Sequence, residues 1–344
     1  TRGAIRSLPT EFLAQLAAAD GTRVEVMLGN TYHLMLRPGA ETVAALGGLH
    51  RFSGWDGHLL TDSGGYQVFS LDPKVTDEGV VFRSTYDGDE HLFTPEAAVG
   101  VQELLGADIQ MVLDVCPPLP SDRSVLAAAV ERTAQWAARA RVAHRRTEDQ
   151  ALFGIVQGGD QADLRAASAR RTVELDFDGY AVGGLSVGET REVMLPALAA
   201  ALAELPADQP RYLMGVGDPL SIIEAVALGV DMFDCVLPTR LARHGTLLTD
   251  AGRMNIKRAE YARDDEPIDP QCPCSTCRRH PRGYLRHLAT LREPVAATLC
   301  TVHNLTWILT FVGRIREAIT EGTLDQLRRQ TASVWADSGP GLHS

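Results

Sequence analysis

The sequence predicts an α/β protein folded as a (β/α)8 (TIM) barrel. Three observations carry this expectation. Short apolar runs alternate with Ala-rich helical stretches over the first 240 residues, the pattern of parallel strands joined by right-handed crossovers. The runs are apolar almost throughout, as in strands covered on both faces. Each run also ends in a polar or glycine tip. An open doubly wound sheet gathers function at one switch point, whereas a barrel aims every strand end at one mouth.

In chain order the runs are VEVMLGN (24–30), HLLTDSGG (58–65), ADIQMVLD (107–114), LFGIVQGG (152–159), YAVGGLS (180–186), YLMGVG (212–217) and MFDCVLP (232–238). Their tips are Asn30, Asp62, Asp114, Gln157, Gly184, Gly215 and Asp234. Amphipathic stretches such as SVLAAAVERTAQWAARARVAHRR and EVMLPALAAALAEL lie between them. Seven runs are one short of a closed ring, and a gap would leave two open sheet edges. The chain begins with Thr1. The expectation is that the first strand lies before it, or that an unrecognised strand closes the ring. After Pro238 the rhythm breaks into turns and short strands. Helical patterning returns with NLTWILTFVGRIREAITEG and TLDQLRRQTASVW. One domain over residues 1–344 is expected, with an insert at about 250–306.

Composition narrows the class. The chain has 344 residues, 45% of them hydrophobic and 22% charged, which excludes disordered, collagenous and coiled-coil proteins. No run approaches eighteen apolar residues, so no membrane-spanning helix is expected. The N-terminal residues show no secretory pattern. The net charge of −11 argues against nucleic acid as a partner of the whole surface. Locally the balance reverses: Arg240–Glu293 carries 11 Lys+Arg against 7 Asp+Glu. Such a stretch is either a footprint for phosphates or a solvated face of mixed charge.

The strongest local signal is Cys272-Pro-Cys274-Ser-Thr-Cys277. Such crowding in a long chain suits a metal in a reducing compartment better than a disulfide framework. Three thiolates and a histidine would close a tetrahedral zinc site and leave no position open for catalysis. A redox pair is the competing reading. His303 is the candidate fourth ligand, with His280 and His287 nearer in sequence.

Asp62, Asp114 and Asp234 stand at strand ends. One such carboxylate alone is more often a helix N-cap. Three at one mouth can supply nucleophile, acid and base. Glycine pairs follow the strands at Gly64-Gly65, Gly158-Gly159, Gly183-Gly184 and Gly215-Val216-Gly217. Without side chains they let backbone N–H groups approach a ligand. None has the form of a P-loop or GxGxxG. A flat heterocycle read by glycine amides with Asp and Gln side chains fits better. Tyr66 and Met214 could sandwich such a ring, although either residue is commonly core.

Together these motifs resemble bacterial tRNA-guanine transglycosylases (queuine tRNA-ribosyltransferases). The matching segments are GNTYHLMLRPG, LLTDSGGYQVFSL, FGIVQGG, GGLSVGE, YLMGVG, GVDMFDCVLPTRLARHG and CPCSTC…TVHNL, from about residue 22 to beyond 305. The resemblance implies an irregular barrel with an inserted zinc-binding subdomain. It implies replacement of guanine at the anticodon wobble position of certain tRNAs by preQ1, a 7-deazaguanine precursor of queuosine. By motif, Asp234 matches the nucleophile that attacks the ribose and Asp62 the general acid/base. Asp114 matches the carboxylate that reads the base's ring N–H and exocyclic amine. Gln157 and the Gly184 amide match the groups that bind the six-position carbonyl. The Leu185 backbone matches the acceptor for the aminomethyl arm, with Glu189 beneath it. Tyr66 and Met214 match the ring sandwich. Cys272, Cys274, Cys277 and His303 match the zinc ligands.

The same resemblance implies a homodimer, a cytoplasmic setting without membrane partners, and tRNA and the free base as partners. Phosphates would fall to Arg240, Arg243, Lys257, Arg258, Arg278, Arg279, Arg282 and Arg286. Val187 follows the bacterial pattern, where eukaryotic enzymes tend to have glycine. Two places depart from the family. Asp114-Val115-Cys116-Pro117-Pro118 stands where Asp-Glu-Cys-Thr-Pro is usual, and Leu241 and His244 stand where Asn or Ser is common. Two rival functions are open to such a barrel. A non-catalytic tRNA-binding paralogue should lack the nucleophile, yet both aspartates are present. A nucleoside hydrolase or metal-dependent hydrolase on the same barrel would, in its metal-dependent form, need His and carboxylate ligands on strands around an open metal position, and the sequence offers no such set.

Overall fold

The computed structural model describes residues 2–71 and 73–336. The expected residues 337–344 of the domain lie outside them. All seven apolar runs form strands of one parallel sheet. These are β1 (Val26–Gly29), β2 (His58–Thr61), β3 (Ile109–Met111), β4 (Ala151–Val156), β5 (Gly179–Val182), β6 (Arg211–Leu213) and β7 (Met232–Phe233). They pair in chain order, each parallel to the next. The strands are shorter than the apolar runs because the last residues of each run bend away as loops. Those loops build the site.

The sheet is curled. Edge strands of a flat seven-stranded sheet would stand about 29 Å apart. Yet one cavity is lined by residues following β1, β2, β3, β5, β6 and β7. This is a (β/α)8-type barrel in which the described residues contribute seven strands. Between β1 and β7 no ladder is formed among those residues. Among the described residues no eighth strand closes the ring there.

The barrel wall is held by burial on both faces. Ile155, Val156, Ala181, Val182, Tyr212 and Leu213 are buried, and they pack with Ala137, Ala169, Leu198 and Ala225 from the surrounding helices. Those helices are Arg123–Ala143, Ala162–Val173, Arg191–Leu202 and Pro219–Ala227. Small residues on their inner faces let them lie close to the strands. Helix Pro219–Ala227 starts with Pro219 at its first turn, and Asp218 accepts the Ser221 N–H.

Two additions interrupt the repeat. A three-stranded antiparallel sheet (Lys74–Val75, Val80–Arg83, Glu90–Phe93) follows the second strand. The second addition begins after β7. It holds a hairpin of Thr246–Thr249 with Gly252–Asn255 and helices Ser275–Arg279 and Arg282–Leu291. Its apolar side is not a separate core. Ile256, Ile268 and Leu285 pack in one cluster with Leu13, Met27 and Leu49 from the N-terminal part.

Helix Pro294–Thr320 corrects one expectation. It begins ten residues earlier than the helical patterning suggests and is long and apolar enough, by length and composition, to cross a membrane, with a window of mean hydropathy 1.5. Half of that window is buried inside the protein. Its inner positions carry Thr301, His303, Asn304 and Thr306, all buried. Asn304 accepts the Leu248 N–H at 2.9 Å and donates to Pro238 O and Thr246 O at 2.9 and 3.0 Å. The helix is apolar because it is core, and its polar groups are matched to neighbouring backbone. Residue 306, the expected end of the insert, falls within it.

Candidate active site

The loops at the strand ends enclose a cavity of about 310 Å³. Four carboxylates border it. Asp218 is committed to Arg191 at 2.9 Å and to the Ser221 N–H; Asp62, Asp114 and Asp234 are each held by a different local device.

Asp62 leaves β2 just before a glycine turn. Its Oδ1 accepts the N–H groups of Thr31 and Gly64 at 2.9 and 3.1 Å, and its Oδ2 accepts from Asn30 Nδ2 at 2.5 Å. Asn30 also caps helix Thr31–Leu36 by accepting the His33 N–H. One residue therefore fixes both the helix start and the carboxylate. Burial pushes the Asp62 pKa up to about 6; the hydrogen bonds resist this, and the charge of Asp234 adds to it. A carboxyl group poised there can give and take protons near neutrality.

Asp234 follows β7. The Tyr212 hydroxyl and the Gly215 N–H both donate to its Oδ1, at 2.5 and 2.7 Å. Its Oδ2 has no hydrogen-bond partner among the described residues. Burial raises its pKa, and the two donors pull it back. One oxygen is thus anchored while the other is available to react.

Asp114 is only 6% exposed. It accepts from Ser63 Oγ at 3.1 Å and from Gln157 Nε2 at 2.6 Å. Burial again raises its pKa against those two donors. Gln157 is not among the residues lining the cavity; its amide orients Asp114 from behind.

Gly184 sits beside Gln157 with φ of +63°, and a Cβ there would lie 2.4 Å from Gln157 Oε1. Only glycine fits this turn. Leu185, Val187 and Met214 line the cavity, and Tyr66 stands 58% exposed at its rim. Glu189 accepts the N–H groups of Ser186 and Val187, holding the loop under Leu185. Cys116 and Cys235 also border the cavity. Burial pushes both thiols up to about 12, so neither supplies a thiolate nucleophile. Val115 is buried with Leu113 and Trp136, and its N–H is met by Thr133 Oγ1 at 3.0 Å. An apolar side chain is at home there. Leu241 is likewise buried in the core.

The basic residues differ in exposure and in what they pair with. Arg240 lines the cavity. Lys257, Arg258, Arg278 and Arg279 are exposed. Arg243 is partly buried, close enough to Arg6 and Arg240 to feel their charge. Arg286 donates to Arg258 O at 2.8 Å. Arg282 is spent within the fold: it pairs with Asp264 at 3.0 Å and donates to Ile268 O.

Cys272, Cys274, Cys277 and His303 place one ligand atom each within 4.8 Å of one another. The three sulfurs stand 3.7, 3.9 and 3.3 Å from His303 Nδ1. A tetrahedral zinc with ordinary bond lengths needs ligand separations of about 3.5–3.8 Å. His303 Nε2 faces Leu248 O at 2.9 Å. That contact keeps the proton on Nε2 and leaves Nδ1 as the donor. These residues form a group able to hold a metal. Neither His280 nor His287 belongs to it.

The sequence marks Asn30 only as a strand tip and gives Ser63 and Tyr212 no role of their own. Tyr212 lies in an apolar run and reads as core, which its ring is.

Comparison with known proteins places the chain in a family. The family model described as queuine tRNA-ribosyltransferase matches residues 1–337. A protein of that name from Solidesulfovibrio magneticus is 52% identical over 341 residues, covering 98% of this chain and 90% of its own length. Another from Pelotomaculum thermopropionicum is 55% identical over 305 residues, covering 88% and 82%. A third, from Bacillus licheniformis, is 48% identical over 346 residues, covering 100% and 89%. The chain belongs to the queuine tRNA-ribosyltransferase family.

Proposed function

We propose that this chain is a tRNA-guanine transglycosylase of queuosine synthesis, exchanging guanine at the anticodon wobble position for preQ1 through a covalent aspartyl–ribose intermediate. The observation that carries the reading is the pair of aspartates in one cavity: Asp234 with one oxygen anchored and the other without a hydrogen-bond partner among the described residues, and Asp62 poised near neutrality.

The chemistry follows from the two states of these groups. Asp234 Oδ2 attacks the ribose anomeric carbon as the glycosidic bond to guanine breaks. The charge building on the departing ring is met by the Gly184 N–H and by a proton from Asp62. The sugar is then held as an ester, as in retaining glycosidases. Asp62, now ionised, takes the ring proton of the incoming base, whose nitrogen displaces the Asp234 carboxylate. Two inversions give overall retention. Closure of the pocket over the ring excludes water, which would otherwise hydrolyse the ester.

Asp114, buried and held by Ser63 and Gln157, serves as acceptor for the ring N–H and exocyclic amine. Gln157 contributes from behind it and toward the six-position carbonyl. The Leu185 backbone takes the aminomethyl arm, with Glu189 bracing its loop. Tyr66 and Met214 cover the ring faces. The target nucleotide has to leave its stack to reach this depth. Phosphates on either side fall to Arg240, Arg243, Lys257, Arg258, Arg278, Arg279 and Arg286. Arg282, already paired, has a structural role.

Zinc is the metal that suits three thiolates and an imidazole with no open position, and when bound it supplies a structural cross-link. The same reading takes the chain as one barrel domain with residues 250–306 as its zinc-bearing insert. It also takes the enzyme as a cytoplasmic homodimer. Labelled guanine entering tRNA, together with a denaturant-resistant protein–RNA complex, is the test. Asp234→Ala should abolish both, and full exchange by that variant would refute the assignment.

A further inference from the structure

Arg165 is fully buried, at 0% exposure, on helix Ala162–Val173 beneath the site. All four of its hydrogen bonds go to main-chain carbonyls and none to a carboxylate. Nε donates to Gly159 O at 2.8 Å, Nη1 to Val156 O and Gly183 O at 3.1 and 2.6 Å, and Nη2 to Gly184 O at 3.0 Å. Desolvation lowers its pKa to about 10, so it remains charged at neutral pH. A buried cation without a counter-ion is costly. Its position explains what the fold gains.

The carbonyls it holds belong to the last residue of β4 and to the loops after β4 and β5. Gly183 O is the carbonyl of the peptide group whose N–H is that of Gly184. Drawing electron density toward the carbonyl end of a peptide makes its N–H a better donor. Gly184 O belongs in the same way to the peptide that carries the Leu185 N–H. The guanidinium fork therefore fixes two successive peptide planes at the cavity wall.

We propose that Arg165 is a positioning residue for the base pocket, aiming and polarising the Gly184 N–H toward the six-position oxygen of the bound base. This rests on the base-pocket reading given above. Arg165 does not touch the base; it acts through the Gly183–Gly184 peptide. As guanine departs and charge grows on that oxygen, the polarised N–H tightens its bond.

The experiment compares guanine with 2-aminopurine, which lacks the six-position oxygen, in binding to the wild type, Arg165→Lys and Arg165→Gln. Melting curves verify that the variants fold. Guanine should bind each folded variant about ten-fold more weakly, as the loss of a strengthened hydrogen bond predicts. 2-Aminopurine should change less than about two-fold, and the KM for tRNA should stay constant. Equal weakening of both ligands would mean a structural role only and would overturn the proposal. If neither variant folds, the guanidinium nitrogens of wild-type protein carrying ¹⁵N-arginine give the answer. A slowly exchanging signal that moves with guanine and not with 2-aminopurine sustains the proposal; a signal indifferent to both overturns it. A wild type that does not bind guanine at all would remove the base-pocket reading itself, an outcome separate from a variant that binds both ligands equally poorly.

Discussion

Tyr212→Phe isolates the hydrogen bond that sets the charge on Asp234. Tyr212 is 2% exposed in the barrel wall, and phenylalanine fills the same space apart from the hydroxyl. That hydroxyl provides one of two donors to Asp234 Oδ1, at 2.5 Å. A hydrogen bond to a charged acceptor contributes about 1.5–3 kcal/mol. Its loss raises the carboxyl pKa further, because the ionised form gives up that stabilisation while burial still opposes it. The ionised form is the nucleophile, so the sign is fixed: the rising limb of adduct formation moves to higher pH. Above that limb the variant should react at least as fast as the wild type, because its carboxylate is less stabilised. The assay follows the denaturant-resistant tRNA complex over time across a pH series. A limb at the wild-type pH with a uniform loss of rate would refute the reasoning and make Tyr212 a packing residue.

With the Asp62 pKa raised to about 6, the two half-reactions should respond to pH in opposite senses. Guanine release needs the protonated acid and declines as pH rises through about 6; capture of the incoming base needs the carboxylate and improves over the same range. Single-turnover measurement of each half checks this, and parallel profiles would contradict it. Cys277→Ser should give protein with substoichiometric zinc and a lowered Tm, read by metal analysis and calorimetry; unchanged metal content would remove Cys277 from the ligand set. Raising salt should weaken tRNA binding steeply while leaving free-base binding nearly constant, and titration of each ligand at several ionic strengths decides it. Arg282→Ala should lower stability by about 1–2 kcal/mol through the loss of its partly buried pair, with little change in that salt slope, whereas Arg240→Ala should reduce the slope by about one.

What could be read from the sequence, and what could not, divides along a physical line. The seven strands were legible because burial on both faces demands unbroken apolar runs. Asp62, Asp114 and Asp234 were legible as a set: each alone could be a helix N-cap, but three ending runs that share one barrel mouth point to a site. The sheet at 74–93 was not, since its short strands mix charged and apolar residues. The start of helix Pro294–Thr320 was missed because its first turns have no polar face to set a period. Tyr212 and Arg165 were invisible for opposite reasons. A tyrosine in a strand passes for core, and an arginine in a helix passes for surface. Only the assembled barrel brings the hydroxyl to Asp234 and buries the guanidinium under two loops.

The histidine and asparagine side by side on the long C-terminal helix have a practical consequence. His303 joins the cysteine cluster, while Asn304 stitches Pro238, Thr246 and Leu248 to the same turn. Pro238 lies four positions beyond Asp234, the proposed nucleophile. Stripping the ion would slacken this stitch and disturb Asp234 from a distance. On the proposed reading, in which the zinc is structural, a chelator would then silence the enzyme and mimic the poisoning of a hydrolytic metal centre.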